Sequence, residues 1–222
     1  MDEKKTTSGI EWKSKLVDLL IVILGITIAF QLNNWNESRN NRHTLHTYLK
    51  SFRLENKDNI SQLQVAIRHA QQTKTLIDSL KNSLLAAKYH GPHIERQAVA
   101  MMSLSSFKPS LTTMENITAT GDFKLIPDNE LRRSIIATYN DYKATSQMEG
   151  LLYDFVESYL IPYFFNKMRF TSPNSMDRAT LQDPRFENLV FGYDILLQQQ
   201  INGYQSSLRK ATDLAEKLEK ER

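Results

Sequence analysis

A chain of 222 residues, 41% hydrophobic and 24% charged, has room for one folded domain with or without an anchor and is too apolar to be disordered. Lys and Arg number 28 against 25 Asp and Glu, so the net charge of +3 gives no reason to expect nucleic acid as a partner. No cysteine is present, which excludes disulfide frameworks, thiolate metal sites and cysteine nucleophiles, and only 7 Gly and 6 Pro disfavour a turn-rich β-sandwich.

The first informative segment is Leu16 to Leu32, LVDLLIVILGITIAFQL, which carries no charge between Leu19 and Phe30. As a helix it spans about 25 Å, slightly short of a hydrocarbon core of about 30 Å. Its flanks favour a membrane. The only two tryptophans, Trp12 and Trp35, bracket the run, and indoles prefer the two membrane–water interfaces. Lys13 and Lys15 can snorkel on one side, with Asn33, Asn34, Asn36 and Glu37 on the other. A cleaved signal peptide is the rival reading; the long charged leader, Asp18 and the bulky Phe30 and Leu32 argue against it.

Basic residues tie across the span, with Lys4, Lys5, Lys13 and Lys15 before it and Arg39, Arg42, Lys50 and Arg53 after it. The proximity of Lys13 and Lys15 points to an N-terminus inside. The expected division is a short cytoplasmic leader over 1–15, a transmembrane helix over 16–34 and an extracytoplasmic domain over 35–222. Within the span, Gly25 and Ala29 form a small-xxx-small pair suited to helix–helix contact. Asp18 is an intramembrane ionisable candidate, or else a first-turn acid favoured by the helix dipole and paired with Lys15.

Beyond the span, Leu45, Leu49, Phe52, Ile60, Leu63, Ile67, Ala70, Ile77, Leu80 and Leu84 recur in steps of three and four. A helix running to about Ala87 follows, with the asparagine-rich 33–41 stretch as its natural break and His90-Gly91-Pro92 as its stop. Shorter helices are expected over 94–103 and 111–119, a turn at Thr120-Gly121-Asp122, an apolar connector over 123–126 and a helix start at Pro127 to Glu130. That helix carries the stripe Leu131, Ile135, Tyr139, Tyr142, continued by Leu151, Leu152, Phe155, Tyr159 and Leu160; Gly150 is a candidate bend and Pro162 a stop or kink. Residues 171–184 read as a loop. A last helix from about Phe186 has the seam Leu197, Ile201, Tyr204, Leu208, Ala211, Leu214, Leu218.

No stretch alternates at period two. The predicted fold is all-α: one transmembrane helix, then an antiparallel helical bundle with long, coiled-coil-like first and last helices, the last returning along the first.

The run Asp18 to Glu37, DLLIVILGITIAFQLNNWNE, resembles the anchor of a large uncharacterised group of single-pass proteins from Bacteroidota. The resemblance rests on Asp18, Gly25, Ala29, Gln31, Asn33, Asn34, Trp35, Asn36 and Glu37. A second stretch, Phe107 to Tyr139, is similar to the same family through Pro109, Met114-Glu115, Gly121, Leu125-Ile126, Glu130-Leu131 and Tyr139, and departs from it at Pro127-Asp128. The resemblance implies an inner-membrane protein with a helical domain in the periplasm. It names no substrate, cofactor or catalytic residue.

Motifs for chemistry are sparse. His90 and His93 form an HxxH with Glu95 behind, and His43 and His46 stand at i, i+3, but neither set supplies the three or four convergent ligands a metal needs. No phosphate loop, dinucleotide fingerprint, nucleophile elbow or HExxH occurs. Glu115 and Asp122 flank the glycine turn and read better as capping and turn acids than as a general acid–base pair. No enzyme activity, cofactor or metal is therefore expected.

Aromatic residues crowd around Pro162: Tyr153, Phe155, Tyr159, then Tyr163 to Phe165, and Phe170. They exceed what one helix stripe needs and point to a groove or partner surface. The expected role is a membrane-anchored envelope interaction or assembly module that binds a protein partner or itself, with recognition at Glu115, Gly121, Asp122 and Leu125. The alternative is a sensor-like bundle that binds a small ligand, its identity unknown, and signals through a membrane partner.

Overall fold

A computed structural model describes residues 8–89, 92–169 and 176–221. Among them there are helices and no strands, as the three-and-four spacing predicts. Helix α1 spans Ser8–Leu85, α2 Pro92–Val99, α3 Thr112–Thr120, α4 Asn129–Phe155, α5 Ile161–Lys167, α6 Arg178–Leu181 and α7 Pro184–Lys220. Contacts divide the chain into two compact units, Met1–Tyr48 and Leu49–Arg222.

In the first unit, α1 carries through 33–41 without the expected break. Asparagine costs a helix only about 0.7 kcal/mol per residue, and no Gly or Pro stands there to break the hydrogen-bond ladder. Because α1 starts at Ser8, Asp18 lies well past its first turn, so the reading of Asp18 as a first-turn acid favoured by the dipole does not hold.

In the second unit, the part of α1 from Leu49 onward packs with α4 and α7. Its apolar face consists of Phe52, Leu63, Ala66, Ala70, Ile77 and Leu80, all buried. It runs antiparallel to α7: the Arg53 guanidinium donates to the Leu218 carbonyl at 2.8 and 3.0 Å, and Asn56 Nδ2 donates to the Ala211 carbonyl at 2.7 Å. At the other end, Lys74 and Lys81 pair with Asp194. Arg53 thereby places a cation on the exposed carbonyls at the C-terminus of α7.

Helix α4 is also antiparallel to α7. Lys217 meets Glu130, Ser207 Oγ donates to Asp141 at 2.6 Å, and Tyr204 OH lies 2.5 Å from Glu149. Helices α1 and α4 are therefore parallel, with Phe52 and Glu55 against Tyr139 and Asn56 against Tyr142. The chain must then travel back along the bundle between α1 and α4, and residues 92–128 do this.

The return runs over α1 in reverse. Gln97 bonds Ser79, Ser103 bonds His69, Ser110 bonds Asn59 and Thr113 bonds Glu55. Between Ser103 and Ser110 it passes about ten residues of α1, roughly 15 Å, a distance its own residues cover only in extended form. Residues 103–111 accordingly form a non-helical strap, with Ser105 and Phe107 buried.

Four further features add to or depart from the sequence expectation. The connector after α3 is a 3-10 turn, Asp122–Leu125, entered through Gly121 at φ +71°, a left-handed cap that glycine adopts without strain. Pro162 does not end the helix, which continues to Lys167. A π turn over Val156–Leu160 precedes it, in which the Ile161 N–H donates to the Val156 carbonyl, and the wider turn admits the proline ring. Of the expected stripe, Leu151 and Tyr159 are exposed while Leu152 and Leu160 are buried. On α7, Ser207 rather than Leu208 is buried, held by Thr145 at 2.7 Å. Of the expected loop, 178–181 is α6, capped by Asp177, and 171–175 lies outside the described residues.

Candidate functional site

An extended strap inside a helical bundle has no sheet partner, so side chains must satisfy its backbone. Asn59 does this in both directions, accepting from Ser110 N at 2.8 Å and donating to its carbonyl at 3.1 Å. Glu149 Oε1 accepts from Phe107 N at 2.6 Å and from Tyr204 OH at 2.5 Å. Gln200 Nε2 donates to the Ser105 carbonyl at 3.1 Å and to Tyr204 OH at 2.9 Å. Glu55 ends the strap: one carboxylate oxygen accepts from Thr113 N at 2.9 Å and Ser110 Oγ at 3.3 Å, the other from Tyr139 OH. Glu55 thus caps α3 from a different helix, meeting one of its free N–H groups.

Burial and these partners shift the titrating groups. Burial, then the Glu55 hydrogen bond, push the Tyr139 hydroxyl well above its ordinary range. Tyr204 rises through burial and the Glu149 carboxylate beside it. Burial also raises Glu149, against the lowering effect of its two hydrogen bonds. A carboxyl raised in the folded state adds stability below its unfolded value of about 4.5 and loses it as pH rises through the folded value. Both donors land on Oε1, so a glutamine retains both bonds and carries no charge to desolvate. Glu149→Gln is therefore expected to be neutral or slightly stabilising at pH 7. The stability difference, wild type minus variant, should move in favour of wild type as the pH falls from 7 to 4, which paired urea titrations would measure. A flat difference would contradict this.

Above this latch, α3 and α4 enclose an open groove of about 410 Å³. Leu111, Met114, Ala119 and the Tyr139 ring give it an apolar lining, with Glu115 and Lys143 supplying charges of opposite sign. The Glu55–Tyr139 bond and the cap on α3 hold both walls to α1. Of the four predicted recognition residues, Glu115 lines this groove. Gly121, Asp122 and Leu125 form the turn beyond α3 and do not line it.

The other predicted site residues lie in the first unit. Trp12 and Trp35 are 73% and 59% exposed, and the Arg39 guanidinium stands 5.9 Å from the Trp35 ring. Lys15, Asp18, Gly25 and Ala29 are exposed; the Lys13 side chain lies outside the described residues. Every residue from Leu16 to Leu32 is exposed, and Thr27 Oγ1 donates to the Ile23 carbonyl at 2.8 Å. A Cβ at Gly25 would meet no atom within 4 Å. His43, His46 and His93 are exposed, and His90 lies outside the described residues. Among the described residues no three metal-ligating side chains converge.

The residues that sequence reasoning missed are Glu55, Asn56, Asn59, Glu149 and Gln200. A signal for three of them was present: 52, 55, 56, 59 and 63 continue the three-and-four stripe, so polar side chains occupy core positions of α1.

The molecule is thus an all-α protein pairing one helix long and apolar enough to cross a membrane with a helical bundle braced by an internal strap. The chain belongs to a family of unknown function, DUF6090, whose model matches residues 18–192. No curated protein and no solved structure matches it significantly.

Proposed function

We propose that the chain is a single-pass inner-membrane protein, N-terminus in the cytoplasm and bundle in the periplasm, that serves as an envelope interaction module and not as an enzyme. The observation that carries this reading is the apolar run 16–32, exposed on every side. Each large aliphatic side chain left in water forgoes about 1.5–3 kcal/mol, so something covers this helix. A protein partner covers one stripe of a helix; lipid covers all of it. Tryptophans at both ends and a threonine hydroxyl satisfied by its own helix fit a bilayer.

In this reading the α3–α4 groove docks an apolar segment of a protein partner, with Glu115 and Lys143 setting its orientation. A pair of reporters fused to the C-terminus, one active only in the cytoplasm and one only outside it, tests the placement. A full-length, membrane-bound chain with the outer reporter active is expected. A shorter soluble product would mean cleavage, and activity of the inner reporter would reverse the topology.

The open notch at Gly25, with Ala29 one turn on, fits self-association in the membrane. Light scattering in mild detergent should give a dimer mass that falls to the monomer in Gly25→Leu. A monomeric wild type would eliminate this part of the proposal.

A further inference from the structure

At the end of the bundle away from Arg53, the π turn, α5 and the first turns of α7 border an open cavity of about 460 Å³ that the docking reading does not use. The aromatic crowd expected around Pro162 divides here. Phe164 and Tyr163 are buried against Phe186, Tyr163 also lining the cavity, while Phe155 and the 63% exposed Tyr159 face it, their rings 5.7 Å apart. Pro162 and Leu189 complete an apolar surface. Phe155 holds its position because α7 has no side chain at Gly192: a Cβ there would stand 3.1 Å from the ring.

Two cations, Lys167 and Arg185, line the same space beside the amides of Asn166 and Asn188. Two carboxylates stand nearby, Asp183 and Asp177. Asp183 lies 3.8 Å from Lys167, and its carboxylate already accepts from Arg185 N at 2.9 Å and from the Tyr163 hydroxyl at 3.1 Å. Asp183 and Asp177 together offset the two cations, but both act on Lys167, and among the described residues no carboxylate pairs with the Arg185 guanidinium within 4 Å, which leaves it for a monoanion. A volume of this size falls within the roughly 300–1,000 Å³ of small-ligand sites, and π turns recur at such sites.

We propose that this cavity binds an organic monocarboxylate with an aromatic or branched apolar body. The carboxylate pairs with Arg185 and Lys167 and accepts from the two amides, while the body lies on Phe155, Tyr159 and Leu189. This would give the ligand-binding alternative a place on the bundle, and it stands independently of the α3–α4 groove. A free metabolite and the C-terminus of a peptide offer the same chemistry.

Calorimetric titration of the full-length chain in lipid nanodiscs, with empty nanodiscs as blank, tests it. The probes are 4-phenylbutyrate and the tripeptide Ala-Ala-Phe, each beside its uncharged amide. Saturable binding of at least one carboxylate is expected, with its amide at least about tenfold weaker, since a charge-assisted contact is lost. Arg185→Gln and Tyr159→Ala should each weaken binding about tenfold, while Lys143→Gln in the other groove leaves it unchanged. Binding of phenylbutyrate alone assigns a small metabolite, and of the tripeptide alone a chain terminus. Lys167→Gln replaces Arg185→Gln if the latter shifts the melting temperature. No saturation by either carboxylate at millimolar concentration, equal binding of the amides, or unchanged affinity in the cation variant would overturn the proposal.

Discussion

Glu55→Ala is expected to lower the stability of the bundle by about 3–4 kcal/mol, or roughly 10 °C in melting temperature for a chain of this size. Truncation leaves the Tyr139 hydroxyl and the Thr113 N–H, both buried, without acceptors, and it uncaps α3 where the strap ends. Glu55→Gln should cost less, about 1–2 kcal/mol. Its carbonyl serves Thr113, and its amide turns the Tyr139 hydroxyl into an acceptor, which strands that proton. The contrast with Glu149→Gln follows from geometry. At Glu149 both donors share one oxygen, whereas at Glu55 they divide between two. Urea and thermal unfolding of the three variants would measure this. A loss below about 1 kcal/mol in Glu55→Ala would show that the carboxylate does not brace the strap.

The second large effect concerns the anchor. Exchanging Ile21 and Leu24 for arginine replaces two favourable residues by two that each cost about 3 kcal/mol at the centre of a membrane helix, a combined change of roughly 6–8 kcal/mol. The double variant Ile21→Arg/Leu24→Arg should leave the membrane fraction on alkaline extraction, while the wild type remains. Both residues lie outside the Leu49–Arg222 unit, so the bundle's melting should not change. Retention of the variant in the membrane fraction would refute the spanning reading of α1.

The two glutamates show why only part of the site could be read from the chain. The steps of Leu63, Ala70, Ile77 and Leu80 on α1, and of Leu197, Ile201, Tyr204 and Leu214 on α7, identify faces that are indeed buried. Glu55, Asn56 and Asn59 interrupt the α1 stripe with side chains ordinarily found in solvent. Glu55 and Asn59 are buried because the strap and the start of α3 bring N–H and C=O groups to them, and Asn56 because the Ala211 carbonyl and the Tyr142 hydroxyl do. Glu149 carried no signal of its own; its donors come from Phe107, forty-two positions earlier, and Tyr204, fifty-five later. The cavity beside Arg185 was half visible, as an excess of aromatics, but which rings would face inward depended on the π turn.

The sequence by itself determined the helical class, the apolar run bracketed by Trp12 and Trp35 and the glycine turn after α3. These follow from local physics: periodicity, side-chain transfer energies and backbone preferences act over a few residues at a time. Only the tertiary structure decided that α1 and α4 run parallel, that residues 103–111 thread between helices, and that Glu55, Asn59 and Glu149 meet their backbone partners there. The direction of packed helices depends on the path of the connection, and hydrogen-bond demand arises only where distant segments are brought together out of water.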